Sequence, residues 1–223
     1  MALLPILFPI LFFVVFAGLG LFLYFHNQKK ERERTEQLRA VAAQLAWSFA
    51  EVAPFNMIAG LEHFTLFNQG HSKEIKNFMY GEANEVKAAV FDYVFVTGSG
   101  KHRHVHNQSV MYLEPANLRV PYFSLRSEGF VTKIFQAFGY QDIDFGQRPE
   151  FSKQYLLRGQ DEPGIRQAFN DRLLLFFESY QGTCVDGGGN QLFVFRAGQR
   201  LLPHEIQSQL ALALNIYALL PRY

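Results

Sequence analysis

The stretch Glu85-Val86-Lys87-Ala88-Ala89-Val90-Phe91-Asp92-Tyr93-Val94-Phe95-Val96 decides how the rest of the chain folds. Side chains alternate across a strand. Val86, Ala88, Val90, Val94 and Val96 therefore share one face, and Ala89, Phe91, Tyr93 and Phe95 share the other. Apolar residues on both sides predict a central strand covered on both faces. Asp92 interrupts the Val90/Val94 face, and a carboxylate buried there needs an ion partner or hydrogen bonds. Arg126 and Arg158 are the candidate partners for a structural ion pair. The chemical alternative sets Asp92 beside Asp142, Asp144 or Glu150 as an acid/base group.

Working outward, Asn77 to Ala83 is expected to pair with this strand, and Phe64 to Phe67 reads as a short strand closed by Asn68-Gln69-Gly70. Thr97-Gly98-Ser99-Gly100 turns the chain into a second long strand over His102 to Leu113. A third covers Leu118 to Leu125, with Pro121 marking an edge or a bulge. Ser127 is positioned to cap a short helix lined by Phe130, Ile134 and Phe138. Asp142 to Phe145 reads as a brief strand or turn, and Gln154 to Arg158 as extended.

Asp161 or Glu162, with Pro163, opens a helix whose stripe is Ile165, Phe169, Leu173, Phe176, Phe177 and Tyr180, stopped by Gly182. Thr183 to Val185 and Gln191 to Phe195 form a hairpin across Asp186-Gly187-Gly188-Gly189-Asn190. Pro203 opens the last helix, with Ile206, Leu210, Ala213, Leu214 and Tyr217 on one face. Strands joined by short turns with segregated helices predict an α+β fold, one domain with a mainly antiparallel sheet and about four helices.

The chain opens on a different pattern. Ala2 to Phe25 is an uncharged apolar run, long enough as a helix to cross a hydrocarbon core of about 30 Å. It lacks the basic start of a cleaved signal, which predicts a retained transmembrane anchor over residues 1–26 and a second unit over 27–223. Lys29, Lys30, Arg32, Arg34 and Arg39 all follow the run. They predict a single-pass inner-membrane protein held by the lipid bilayer, its C-terminal domain cytoplasmic. From Glu33 to about Ala50 the pattern is helical, with Leu38, Val41, Ala42, Leu45 and Phe49 on one face and Trp47 opposite. Pro54 ends it.

Composition narrows the function. A net charge of +1 offers no general basic field for nucleic acid. The single cysteine, Cys184, forms no internal disulfide and reads as a small apolar filler. His102, His104 and His106 would share one strand face, a donor set that can hold a metal. Such positions lie about 6 to 7 Å apart, however, so one ion does not reach all three, and a solvated hairpin is the simpler reading. Gly187-Gly188-Gly189 does not sit between a strand and a helix, so a turn suffices without phosphate binding. No cofactor and no metal is implied.

The runs Leu45-Ala46-Trp47-Ser48-Phe49, Phe91-Asp92-Tyr93, Asp142-Ile143-Asp144-Phe145 and Tyr155-Leu156-Leu157-Arg158-Gly159 together resemble a family of uncharacterised bacterial single-pass membrane proteins. The resemblance implies an inner-membrane location and brings no activity and no functional residue. The expected function is a non-enzymatic module that binds a protein partner or a membrane surface. The alternative is a membrane-attached hydrolase or metal-dependent enzyme built on Asp92 and nearby polar groups.

Overall fold

A computed structural model describes residues 4–54, 57–127 and 142–221, with side chains from residue 15 onward. The central strand lies where its pattern puts it. Strands β1 (Ser48–Val52), β2 (His71–Ala83), β3 (Val86–Thr97) and β4 (His104–Glu114) run as an antiparallel meander. Further along the chain come β5 (Val120–Ser127), β6 (Tyr155–Gly159), β7 (Cys184–Gly189) and β8 (Gln191–Phe195). All eight form one sheet in the order β1-β2-β3-β4-β8-β7-β5-β6, every neighbouring pair antiparallel.

The helices are α1 (Leu4–Gln44), α2 (Pro149–Gln154), α3 (Glu162–Ala168), α4 (Asp171–Ser179) and α5 (Ile206–Leu219). Val86, Ala88 and Val90 face a core built with Leu38, Val41 and Ala42 of α1, Ile165 of α3, Phe177 of α4 and Ala213 of α5. Ala89, Phe91, Tyr93 and Phe95 face a second, aromatic core closed by Leu61, Phe64 and Phe67. There Phe67 meets Tyr93 and Phe193 edge-on, each with ring centroids 5.0 Å apart.

Several expectations need correction. The segment around Phe64 to Phe67 is a series of turns rather than a strand. Its aromatic rings are anchors for the sheet, and the alternation was that of two buried turns. The helix expected to Ala50 ends at Gln44, where Ala46 takes a left-handed φ of 56° and turns the chain into β1. The helix expected from Asp161 to Gly182 is two. The Asn170 carboxamide accepts the Arg172 and Leu173 N–H groups and starts α4 afresh. The second long strand begins at His104, after a tight turn over Gly100–His102. Pro121 falls within the register shift between Val120 and Phe123 against β7, so it marks a bulge. The short helix expected after Ser127 lies outside the described residues.

The largest correction concerns the N-terminal helix. Among the described residues no helix is long and apolar enough to cross a membrane. The large apolar side chains described on α1 from Val15 to Phe25 are exposed. His26 to Lys30 then make the rod polar, and its last turns pack on the sheet through Leu38, Val41 and Ala42. The absence of a spanning helix among the described residues overturns the anchor over 1–26, the lipid bilayer as partner and the single-pass inner-membrane placement with a cytoplasmic domain.

Trp47 is the chain's one tryptophan, and it packs where α1 meets β1 and β2. Its indole N–H donates to the Glu82 carbonyl at 3.1 Å. The ring lies against Gly81, where a Cβ would enter the indole. Gly81→Ala is expected to cost about 1–3 kcal/mol by overpacking. Thermal unfolding followed by the fluorescence of this single tryptophan checks it.

Candidate functional site

Asp92 is the buried charge that pattern alone singles out, and the fold brings three elements to it. β3 carries it onto the face covered by α1, β2 lies on one side and β4 on the other. Its partner is Arg34 of α1, not Arg126 or Arg158. The guanidinium binds in a fork, Nε to Oδ2 at 2.8 Å and Nη2 to Oδ1 at 2.7 Å. Asn77 Nδ2 donates to Oδ2 at 2.9 Å and the Ser109 hydroxyl to Oδ1 at 2.7 Å. Asp92 therefore accepts four hydrogen bonds, and its side chain is 4% exposed.

The surrounding groups are tied in as well. Arg34 Nη1 donates to the Leu201 carbonyl at 2.7 Å, and the Leu201 N–H donates to Ser109 Oγ at 3.0 Å. The Thr35 hydroxyl donates to Asn77 Oδ1 at 2.8 Å. Asn77 adopts a left-handed φ of 50° within the irregular part of β2, which turns its carboxamide toward Asp92. One turn earlier on α1, Glu31 holds Arg200 in a second fork at 2.7 and 2.9 Å. Burial pushes the Asp92 carboxyl up, but Arg34, Asn77 and Ser109 outweigh it and hold it below the usual carboxylate range. The gap among Arg34, Leu38, Asn77, Asp92 and Ser109 has no room for a water molecule. This is a sealed knot joining α1, the sheet and the 196–202 loop.

The carboxylates proposed as acid/base companions are elsewhere. Asp142 accepts the Leu157 N–H beside β6, at the far edge of the sheet. Burial raises its pKa. Glu150 is paired with Lys153 on the exposed side of α2. Arg158 lies on β6 opposite Ser124.

The histidines also separate. His102 sits in the turn and His104 at the exposed start of β4. His106 stacks on Phe95, centroids 4.6 Å apart, with Nε2 2.8 Å from Thr97 Oγ1. Among the described residues no three His, Cys, Asp or Glu side chains cluster as a metal would require. Cys184 is fully buried, and burial pushes its thiol up.

Sequence reasoning missed a second buried pair. Asp186, read as a hairpin-turn residue, is inside β7 and wholly buried. Its Oδ1 accepts from Arg126 Nη1 and its Oδ2 from the Leu66 N–H at 2.6 Å. Arg126 also lies 4.9 Å above the Phe195 ring. The signal available was Arg126 itself, the one charged residue in its strand.

A cleft of about 360 Å³ lies between Arg119, Pro121, Asp161, Gln167 and Pro221. Its charged walls serve the local backbone. Arg119 Nη1 donates to the Ala116 and Leu118 carbonyls, and Asp161 Oδ1 accepts the Gly164 N–H.

No family model matches the chain, and no curated protein does. Among solved structures it is similar to the crystal structure of the mycobacterial trehalose monomycolate transport factor A, with a TM-score of 0.62 at 10% identity. The match covers 86% of this chain and 98% of that one. At that identity the likeness is one of fold.

Proposed function

We infer that this chain is a non-enzymatic module that acts by binding a protein partner. The observation that carries the reading is the state of Asp92. Every lone pair that a reacting proton would need is taken up by Arg34, Asn77 or Ser109. An acid/base group must reach the proton it moves, and the Asp92 carboxyl is enclosed without room for water. The likeness to a transport factor adds support by analogy only, since a fold hosts many functions. Transport of trehalose monomycolate belongs to that protein alone.

Crosslinking in cells followed by isolation of the tagged full chain tests this. The same protein partner is expected from independent preparations. The Asp92→Asn chain is expected to return that partner too, at a temperature where it remains folded. Failure to recover a reproducible partner overturns the reading. So does an Asp92→Asn chain that is folded and partner-bound yet inactive in the cell.

A further inference from the structure

Among the described residues β1 ends the sheet, and its register defines what its outer edge presents. The Ala53 N–H donates to the Ile75 carbonyl at 3.3 Å, in line with Val52 opposite Lys76 and Ala50 opposite Phe78. Narrow and wide pairs alternate along an antiparallel ladder. Phe49 and Glu51 therefore turn their backbone groups toward β2, while Ser48, Ala50 and Val52 turn theirs outward. These outward residues are symmetric about Ala50. We propose that β1 pairs antiparallel with β1 of a second copy of this chain, Ala50 opposite Ala50 and Ser48 opposite Val52.

The side chains fit that two-fold pairing on both faces. On the α1 face, the Arg39 guanidinium lies 4.8 Å from the Phe49 ring centroid and donates to Glu51 Oε1 at 2.6 Å. The pairing sets Phe49 directly across from Glu51 of the second copy. Each Arg39 then stands between two carboxylates, and the two Arg39 and two Glu51 side chains alternate in sign around the axis. In the single chain these groups are 44% and 66% exposed, so they meet without stranding a buried charge. On the other face Val52 and Tyr80 are 63% and 48% exposed. Ser48 lies between Tyr80 and Val52 of the second copy, and its small side chain lets the two approach.

This self-complementarity selects a second copy over an unrelated extended peptide, which would lack the matching charges. An unpaired edge strand is a ready template for such pairing.

Cysteine crosslinking of the full chain tests the register, since the native Cys184 is buried and does not compete. Ala50→Cys is expected to give a covalent dimer under mild oxidation, because opposed residues in a hydrogen-bonded pair lie about 5.5 Å apart, within disulfide reach. Ser48→Cys is expected to give none, its two copies lying roughly 14 Å apart along the strand. That contrast separates the β1 pairing from any association through the exposed apolar end of α1. Ala50→Pro removes only an outward N–H, which an edge strand tolerates, and is expected to abolish the dimer in sedimentation while leaving the fold intact. Arg39→Glu is expected to weaken the dimer about tenfold, and adding Glu51→Arg to restore it. No crosslink at position 50, equal crosslinking at 48 and 50, a monomer at all concentrations, or a dimer indifferent to Ala50→Pro each overturns the proposal.

Discussion

Asp92→Asn is expected to destabilise the fold by about 3–5 kcal/mol, the usual cost of removing one member of a buried ion pair. The reason is geometric. Four donors converge on the carboxylate. A carboxamide in its place points its own NH2 at two of them and leaves the Arg34 charge uncompensated. Urea unfolding should show a lower midpoint with an unchanged slope.

The double variant Arg34→Met/Asp92→Leu, which removes both charges together, is expected to cost much less. The pH dependence follows from the direction of the shift. Asp92 is held below its ordinary value in the folded chain, so the unfolded chain binds the proton more readily. The stabilisation is then complete above the unfolded value of about 4 and is lost as pH falls through the lower folded value. Wild type should keep its full advantage over Asp92→Asn at neutral pH and surrender it only in acid.

Asp186→Ala is expected to be as damaging, again about 3–5 kcal/mol, by a different route. It removes the counter-charge of Arg126 and also the acceptor of the Leu66 N–H. That second bond pins the turns carrying Phe64 and Phe67 onto the aromatic core. Loss of Asp186 should therefore raise amide hydrogen exchange across residues 61–68 before global unfolding. Asp92→Asn should leave that segment protected and loosen α1 instead. The two variants together separate the two faces of the sheet.

What was legible in the chain follows period. β3, its pairing with β2 and β4, and the buried face of α5 all repeat apolar residues at two or at three and four positions, and the structure keeps them. Asp92 stood out because a carboxylate on an apolar strand is anomalous by itself. Arg34 did not, because it follows an apolar run and was counted with Lys29, Lys30 and Arg32 as a flanking charge. Local spacing carries no mark that one of these cations reaches a strand far along the chain.

Other misses have equally local causes. Ala46 has no chemistry that favours a left-handed φ, so the end of α1 was invisible. Asn170 sits within an unbroken apolar stripe and is silent until its carboxamide is seen to cap α4. Asp186 opens a run of turn-forming residues, and those glycines outweighed it. In the structure Gly187 and Gly188 lie in β7 because the Phe123 and Tyr122 rings occupy the space a Cβ would need.

The strand order places β8 and β7 between β4 and β5. On the ribosome, the meander of β1 to β4 and the β5–β6 pair both emerge before the hairpin that joins them. Each then carries a bare inner edge, β4 on one piece and β5 on the other, until residues 184–195 arrive. Such edges invite mispairing during synthesis. The closing step of assembly is insertion of a late hairpin into a waiting gap, and a nascent chain stalled before Cys184 is the species a chaperone would have to guard.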